Sequence, residues 1–151
     1  MTSTNEKNTA TFLHLSALTQ YIIPFGNYIF PIIIWSSKKN ESEFVDQNGK
    51  QVLNFQLSIF IYSIILCAIA IPIFLYAIFK NIPFHFNFHQ DEFLIHNLCH
   101  GNMSGLTILG IVTVLVFAFM KVMEFVLIIH AAVKSSNGEN YKYPLSIPFF
   151  K

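Results

Sequence analysis

No charged side chain occurs between Lys50 and Lys80. Within that interval, Val52 to Phe79 forms an apolar run of about 28 residues, roughly 42 Å as a helix, which exceeds a bilayer core of about 30 Å. A stretch this long and this apolar has few homes in a water-soluble fold. Composition points the same way: 54% of the chain is hydrophobic and only 11% is charged, against roughly a quarter in soluble domains. Too few charges remain to cover a water-facing surface. Pro72 inside the run removes one helical hydrogen bond, a defect that membrane helices tolerate when neighbours satisfy the freed carbonyl.

Two further segments are expected in the bilayer, giving an all-α membrane protein of three transmembrane segments in one membrane domain. Leu106 to Val133 is as long as the first run but carries Lys121 and Glu124 near its middle. Each central charge costs about 3 kcal/mol on insertion scales, and each Leu, Ile, Val or Phe returns about 0.3 to 0.6 kcal/mol. The balance is close, so these charges need partners. Phe12 to Trp35 is uncharged but interrupted by Pro24, Gly26, Asn27 and Pro31. Either it crosses as two half-helices around an unwound turn, or it enters and returns on one side. Crossing is the preferred arrangement.

The connections differ in charge. Ser36 to Gln51 reads as a polar loop with three lysines and a turn signal at Asn48-Gly49, and the tail from Lys134 adds three lysines and a second Asn-Gly. Residues 80–105 hold one lysine, Asp91, Glu92 and four histidines. Lysine bias places the first loop and the tail in the cytoplasm and the His-rich connection outside. In the tail, Tyr141, Tyr143, Leu145, Ile147 and Phe149 alternate with other residues, so one apolar side can lie back on the membrane or the helices.

The stretches HLSALTQYIIPFGNYIFPIIIWSSKK, EFVDQNGKQVLNFQLSIFIYSI and AAVKSSNGENYKYPLSIPF resemble a widespread family of small bacterial membrane proteins known as a domain of unknown function. That family is in turn similar to the multispan inner-envelope subunit of the chloroplast protein-import translocon. The most specific block holds Phe44, Val45, Asp46, Gly49, Lys50, Asn54, Phe55 and Gln56. The resemblance implies a bacterial inner-membrane protein of three or four helices with a role in protein transport or membrane assembly. Residues 80–105 are longer than in compact members, a candidate partial fourth segment.

Three groups of residues invite a chemical reading. His85, His89, His96 and His100 would pair at i and i+4 on a helix, a spacing that suits Zn or Cu. The period-two alternation of Phe84, Phe86 and Phe88 argues instead for an extended interfacial lid, so no metal and no cofactor is expected. Lys121 and Glu124, three apart, are neighbours on one helix face and read as an internal ion pair or as part of an ion, proton or solute path. Gln51, Asn54 and Ser58 share a face of the second segment as interhelical hydrogen-bonding groups, with Gln56 on another.

Other classes find no support. No nucleophile–base grouping, P-loop, dinucleotide fingerprint or HExxH is present, and a chain with no arginine lacks a phosphate-tracking surface for nucleic acid. The expected partners are the lipid bilayer and copies of the chain or other membrane proteins. The expected function is therefore that of a nonenzymatic membrane component, with a small-solute transporter and a metal- or pH-sensing accessory protein as alternatives.

Overall fold

The computed structural model describes residues 2–81 and 105–151, with side chains from 2–76 and 108–151. The histidine-rich connection, with the metal candidates His85, His89, His96 and His100 and the partial fourth segment, lies outside the described residues.

Every regular element described is helical: α1 (Thr4–Ser16), a 3-10 turn (Ala17–Tyr21), α2 (Gly26–Lys38), α3 (Glu43–Asn81) and α4 (Gly105–Ser136). Two helices, not three segments, are long and apolar enough to cross a membrane: Glu43–Tyr76 and Ile108–Ser136. Only 11% of each apolar window is buried, which is unlike the core helix of a soluble protein. The expected crossing by residues 12–35 is not formed. Its interruption splits the segment into two helices that fold back on each other, and α2, the return limb, has 13 residues, about 20 Å against a core of about 30 Å.

Local chemistry explains that fold-back. Ser3 and Glu6 form a reciprocal capping box at the start of α1, with Ser3 N–H donating to Glu6 Oε2 at 2.7 Å. At the far end the chain tightens into the 3-10 turn, and Thr19 carbonyl accepts from the amides of Ile22 and Ile23. Phe25 then takes a left-handed conformation (φ 62°), which reverses the chain before Gly26 starts α2. Gly26 is required by proximity, because a Cβ there would stand 2.6 Å from Thr19 Oγ1. Pro24 occupies the reversal, whereas Pro31 is buried inside α2 and does not end it.

A second expectation is also corrected. The Asn48-Gly49 turn does not form: α3 begins at Glu43, with the Ser42 hydroxyl accepting from Val45 N–H at 3.4 Å, and runs straight through both residues. Gly49 is there because the Trp35 indole lies on it, and a Cβ would come within 2.6 Å of Trp35 Cγ. Trp35 Nε1 donates to Asp46 Oδ1 at 2.8 Å, Asp46 Oδ2 pairs with Lys50 at 2.7 Å, and Lys39 sits over the indole. The Asn137-Gly138 pair does turn, with Gly138 at φ 83° just past the end of α4.

The chain divides into two compact units. The first, Met1–Tyr62 with Lys121–Lys151, holds the described core. Its buried residues recur at helical spacing: Ala10, Leu13, His14 and Ala17 on α1, Phe44, Val45, Asn48, Val52 and Phe55 on α3, and Glu124, Ile128, Ala131 and Ser135 on α4. The second, Ser63–Met120, displays apolar side chains outward, Ile64, Ile69 and Phe74 on α3 and Val114, Leu115 and Phe119 on α4 among them. Such surface is stable against hydrocarbon rather than water.

In an ordinary helix interior, Gly→Ala adds up to about 1 kcal/mol of stability. At Gly49 the sign reverses, because the new methyl displaces Trp35: Gly49→Ala should lower stability by about 1–3 kcal/mol. Thermal unfolding in detergent, read from Trp35 fluorescence, checks this.

Candidate functional site

Among the described residues, the Asn48 side chain is buried with every donor and acceptor engaged. Its Nδ2 donates to Phe44 carbonyl at 2.8 Å and to Asn140 Oδ1 at 3.1 Å. A main-chain carbonyl only accepts, so the amide orientation is fixed and Oδ1 faces the other way. Oδ1 accepts from Ser135 Oγ at 2.9 Å and meets His14 Nε2 at 3.0 Å. His14 therefore carries its proton on Nε2. Its Nδ1 is left as the acceptor for Tyr143 hydroxyl, 2.8 Å away. Tyr143 in turn stacks on Phe55, with centroids 4.1 Å apart and planes 8° from parallel. One amide thus joins α1, α3, α4 and the tail.

Electrostatics keep this centre neutral. His14 is fully buried, and burial lowers its pKa from 6.5 to about 4, only partly offset by the bond to Asn48. Burial likewise pushes the Tyr143 hydroxyl well above its ordinary range. A second proton on His14 would have to sit on Nδ1, where the tyrosine proton already points.

A row of polar side chains on α3 holds the tail. Asn54 Oδ1 accepts from the amides of Phe149 at 3.0 Å and Phe150 at 2.8 Å, and Asn54 Nδ2 donates to Phe150 carbonyl at 2.9 Å. One turn on, Ser58 Oγ accepts from Ile147 N–H at 2.8 Å while donating to Asn54 carbonyl at 2.6 Å. A further turn on, Tyr62 hydroxyl donates to Leu145 carbonyl at 2.9 Å. Gln51, on the same face, is half-buried and takes no part in the row. The tail lies on the helices through its main chain, and of its alternating apolar residues only Tyr143 is buried.

Glu124 is buried and has both oxygens engaged: Oε2 pairs with Lys121 at 2.8 Å and Oε1 accepts from Gln20 Nε2 at 2.9 Å. On the neighbouring face of α3, Gln56 turns to the hairpin, where Asn27 Nδ2 donates to its Oε1 at 2.8 Å and Tyr28 hydroxyl to its carbonyl at 3.1 Å. The hairpin and the family block thus meet through the helix-break residue Asn27 on Gln56, and again through Trp35 on Asp46.

The comparisons with known proteins bear on the whole of this framework. The sequence profile of one family matches residues 5–150, which takes in the hairpin, both long helices and the tail. The chain belongs to the magnetosome magnetite crystal formation protein family. It is thus a multi-pass, helical membrane protein of a bacterial family. The family's description concerns magnetite crystals, and no link to the chloroplast import translocon is found. No curated protein and no solved structure matches the chain. Among the described residues, no group of three or more His, Cys, Asp or Glu could hold a metal ion.

His14, Ser135, Gln20 and Tyr62 were not singled out by sequence, and Tyr143 was named only as one of the alternating tail residues able to lie back on the helices. A lone histidine at the third position of the spacing Ala10, Leu13, His14, Ala17 was the available signal for His14. Its partner Tyr143 lies 129 residues away, beyond any local pattern.

Two tests follow from this geometry. A histidine whose pKa is lower folded than unfolded contributes stability that is full above 6.5 and is lost as pH falls toward about 4. That loss should amount to about 3 kcal/mol, and His14→Phe should flatten the pH dependence of the thermal midpoint between pH 7 and pH 4. Separately, Asn54→Ala removes bonds worth about 1 kcal/mol each, so amide hydrogens of Phe149 and Phe150 should exchange roughly 10- to 100-fold faster. Ile147, held by Ser58, should change less in the same exchange measurement.

Proposed function

We propose that this protein is a nonenzymatic membrane component that acts by assembling with copies of itself or with other membrane proteins, in a membrane where magnetite crystals form. The mineral setting rests on the family description. The assembly role rests on one observation: the polar side chains of Asn54, Ser58 and Glu124 in the long helices are engaged within the chain, and the apolar surfaces of those helices are not. Asn54 and Ser58 hold the tail, and Glu124 is closed by Lys121 and Gln20. The same commitments favour a structural role for Lys121, Glu124 and Asn54 over a solute path. What the protein offers outward along α3 and α4 is Ile, Val, Leu and Phe, the material of helix-to-helix and helix-to-lipid contact.

Orientation follows from the lysines. Lys7, Lys38, Lys39, Lys50, Lys134 and Lys142 all belong to the unit that contains both termini. Lysine bias assigns the lysine-bearing end of that unit to the cytoplasmic side of a bacterial inner membrane or of a membrane continuous with it.

Lys38, Lys39 and Lys142 are exposed and serve as handles. Amine-reactive crosslinking in native membranes, followed by purification and mass spectrometry, should recover this chain joined to itself or to another membrane protein. Recovery of the uncrosslinked monomer alone, at reagent levels that modify all three lysines, would refute the assembly role.

A further inference from the structure

The α1–α2 hairpin carries a chemical gradient along its length. Its open end bears Glu6, Lys7, Lys38 and Lys39, whereas no Asp, Glu, Lys or Arg occurs between Lys7 and Lys38. The one histidine in that interval, His14, is buried. The closed end is apolar and exposed: Tyr21 57%, Ile22 83%, Ile23 44% and Phe25 65%. In water this tip would be a liability, since four large apolar side chains project together from a reversal.

Contacts within the first unit fix how deep that tip reaches. Tyr28 packs edge-on against Phe60 of α3, and Tyr21 packs edge-on against Phe125 of α4. Phe60 lies ten residues beyond Lys50, the last charge before the apolar run, or about 15 Å along a helix. Phe125 lies nine residues before Lys134, about 14 Å by the same measure. Two helices thus give the same depth independently, and it is about half of a hydrocarbon core of about 30 Å.

From this register we infer that the hairpin is a half-depth membrane element, inserted from the lysine side into one leaflet, with its tip near the bilayer midplane and in contact with lipid acyl chains. The tip continues an apolar surface already present on the long helices. Phe60 and Phe125, the residues it leans on, are each 45% exposed and face the same surroundings. Irregular backbone at that depth needs partners, and the Ile22, Ile23 and Gly26 amides find them within the turn, on the Thr19 and Ile23 carbonyls. The polar side chains carried to that depth, Gln20 and Asn27, are turned inward onto Glu124 and Gln56. The inference holds whichever proteins the chain assembles with.

Single-cysteine variants of the full chain, with Cys67 and Cys99 replaced by Ala, test it after reconstitution in phosphatidylcholine–phosphatidylglycerol vesicles. Nitroxide labels at Ile22→Cys and Phe25→Cys should show high oxygen and low nickel-chelate accessibility, at a depth of about 15 Å. A water-soluble maleimide should fail to modify either site from either face of the vesicle. The same reagent should reach Asn5→Cys and Lys142→Cys from one common face. Ready maleimide labelling of Ile22→Cys would overturn the proposal by placing the tip in water. Labelling of Asn5→Cys and Lys142→Cys from opposite faces would overturn it by making the segment cross. Low accessibility to both oxygen and nickel, with spin–spin broadening between labels, would overturn it by placing a second copy of the chain on the tip.

Discussion

The fixed orientation of one buried carboxamide organises the lysine-bearing unit. Phe44 carbonyl dictates which end of Asn48 is nitrogen, and that choice dictates the tautomer of His14 and the direction of the Tyr143 hydroxyl. Each link is a donor matched to an acceptor in a place that water does not reach, where an unmatched group costs on the order of 1–3 kcal/mol. Replacing any member therefore leaves its neighbours unsatisfied. The four chain segments joined there, α1, α3, α4 and the tail, are distant in sequence, so this centre closes long loops as well as satisfying polar groups.

Around that centre, polar side chains divide the labour with apolar ones in a way suited to a bilayer. Association of helices in hydrocarbon gains little from burying apolar surface, because lipid tails are as apolar as leucine. Hydrogen bonds and close packing must supply the specificity. The buried part of α3 accordingly carries Asn48, Asn54, Gln56 and Ser58 among its apolar residues, and a glycine where an indole must approach. Further along the same helix, beyond Phe60, the described side chains turn outward and the polar residues thin out.

Much of this was legible in the sequence and some was not, for identifiable reasons. Long apolar runs marked both long helices, since length and apolarity are local properties. The spacing of Lys121 and Glu124 placed them side by side on one turn, where they are found at 2.8 Å, and the spacing of Asn54 and Ser58 put them on the face that now holds the tail. Asn48-Gly49 misled, because the dipeptide that favours a turn is also what a helix uses when it needs a buried amide and a missing Cβ one residue apart. Residues 12–35 misled in another way: they are long and apolar enough to cross if straight, and only the reversal at Phe25 and the packing of Tyr21 and Tyr28 decide otherwise. Tertiary contacts of that kind leave no periodic trace.

The hold on the tail has an evolutionary corollary. Asn54, Ser58 and Tyr62 grip amides and carbonyls, the parts of a peptide that every residue shares, rather than the side chains of Leu145, Ile147, Phe149 or Phe150. Pro148, which has no N–H to offer, sits between two of the gripped positions. Substitutions at Ser146, Ile147 and Phe149 can then accumulate without loosening the segment, provided its prolines and its backbone path persist, whereas Phe150 is also held by its ring against Trp35. The outward-facing side chains of this stretch are free to diverge and be tuned to whatever neighbours each lineage presents, while the receptor on the helix stays constant.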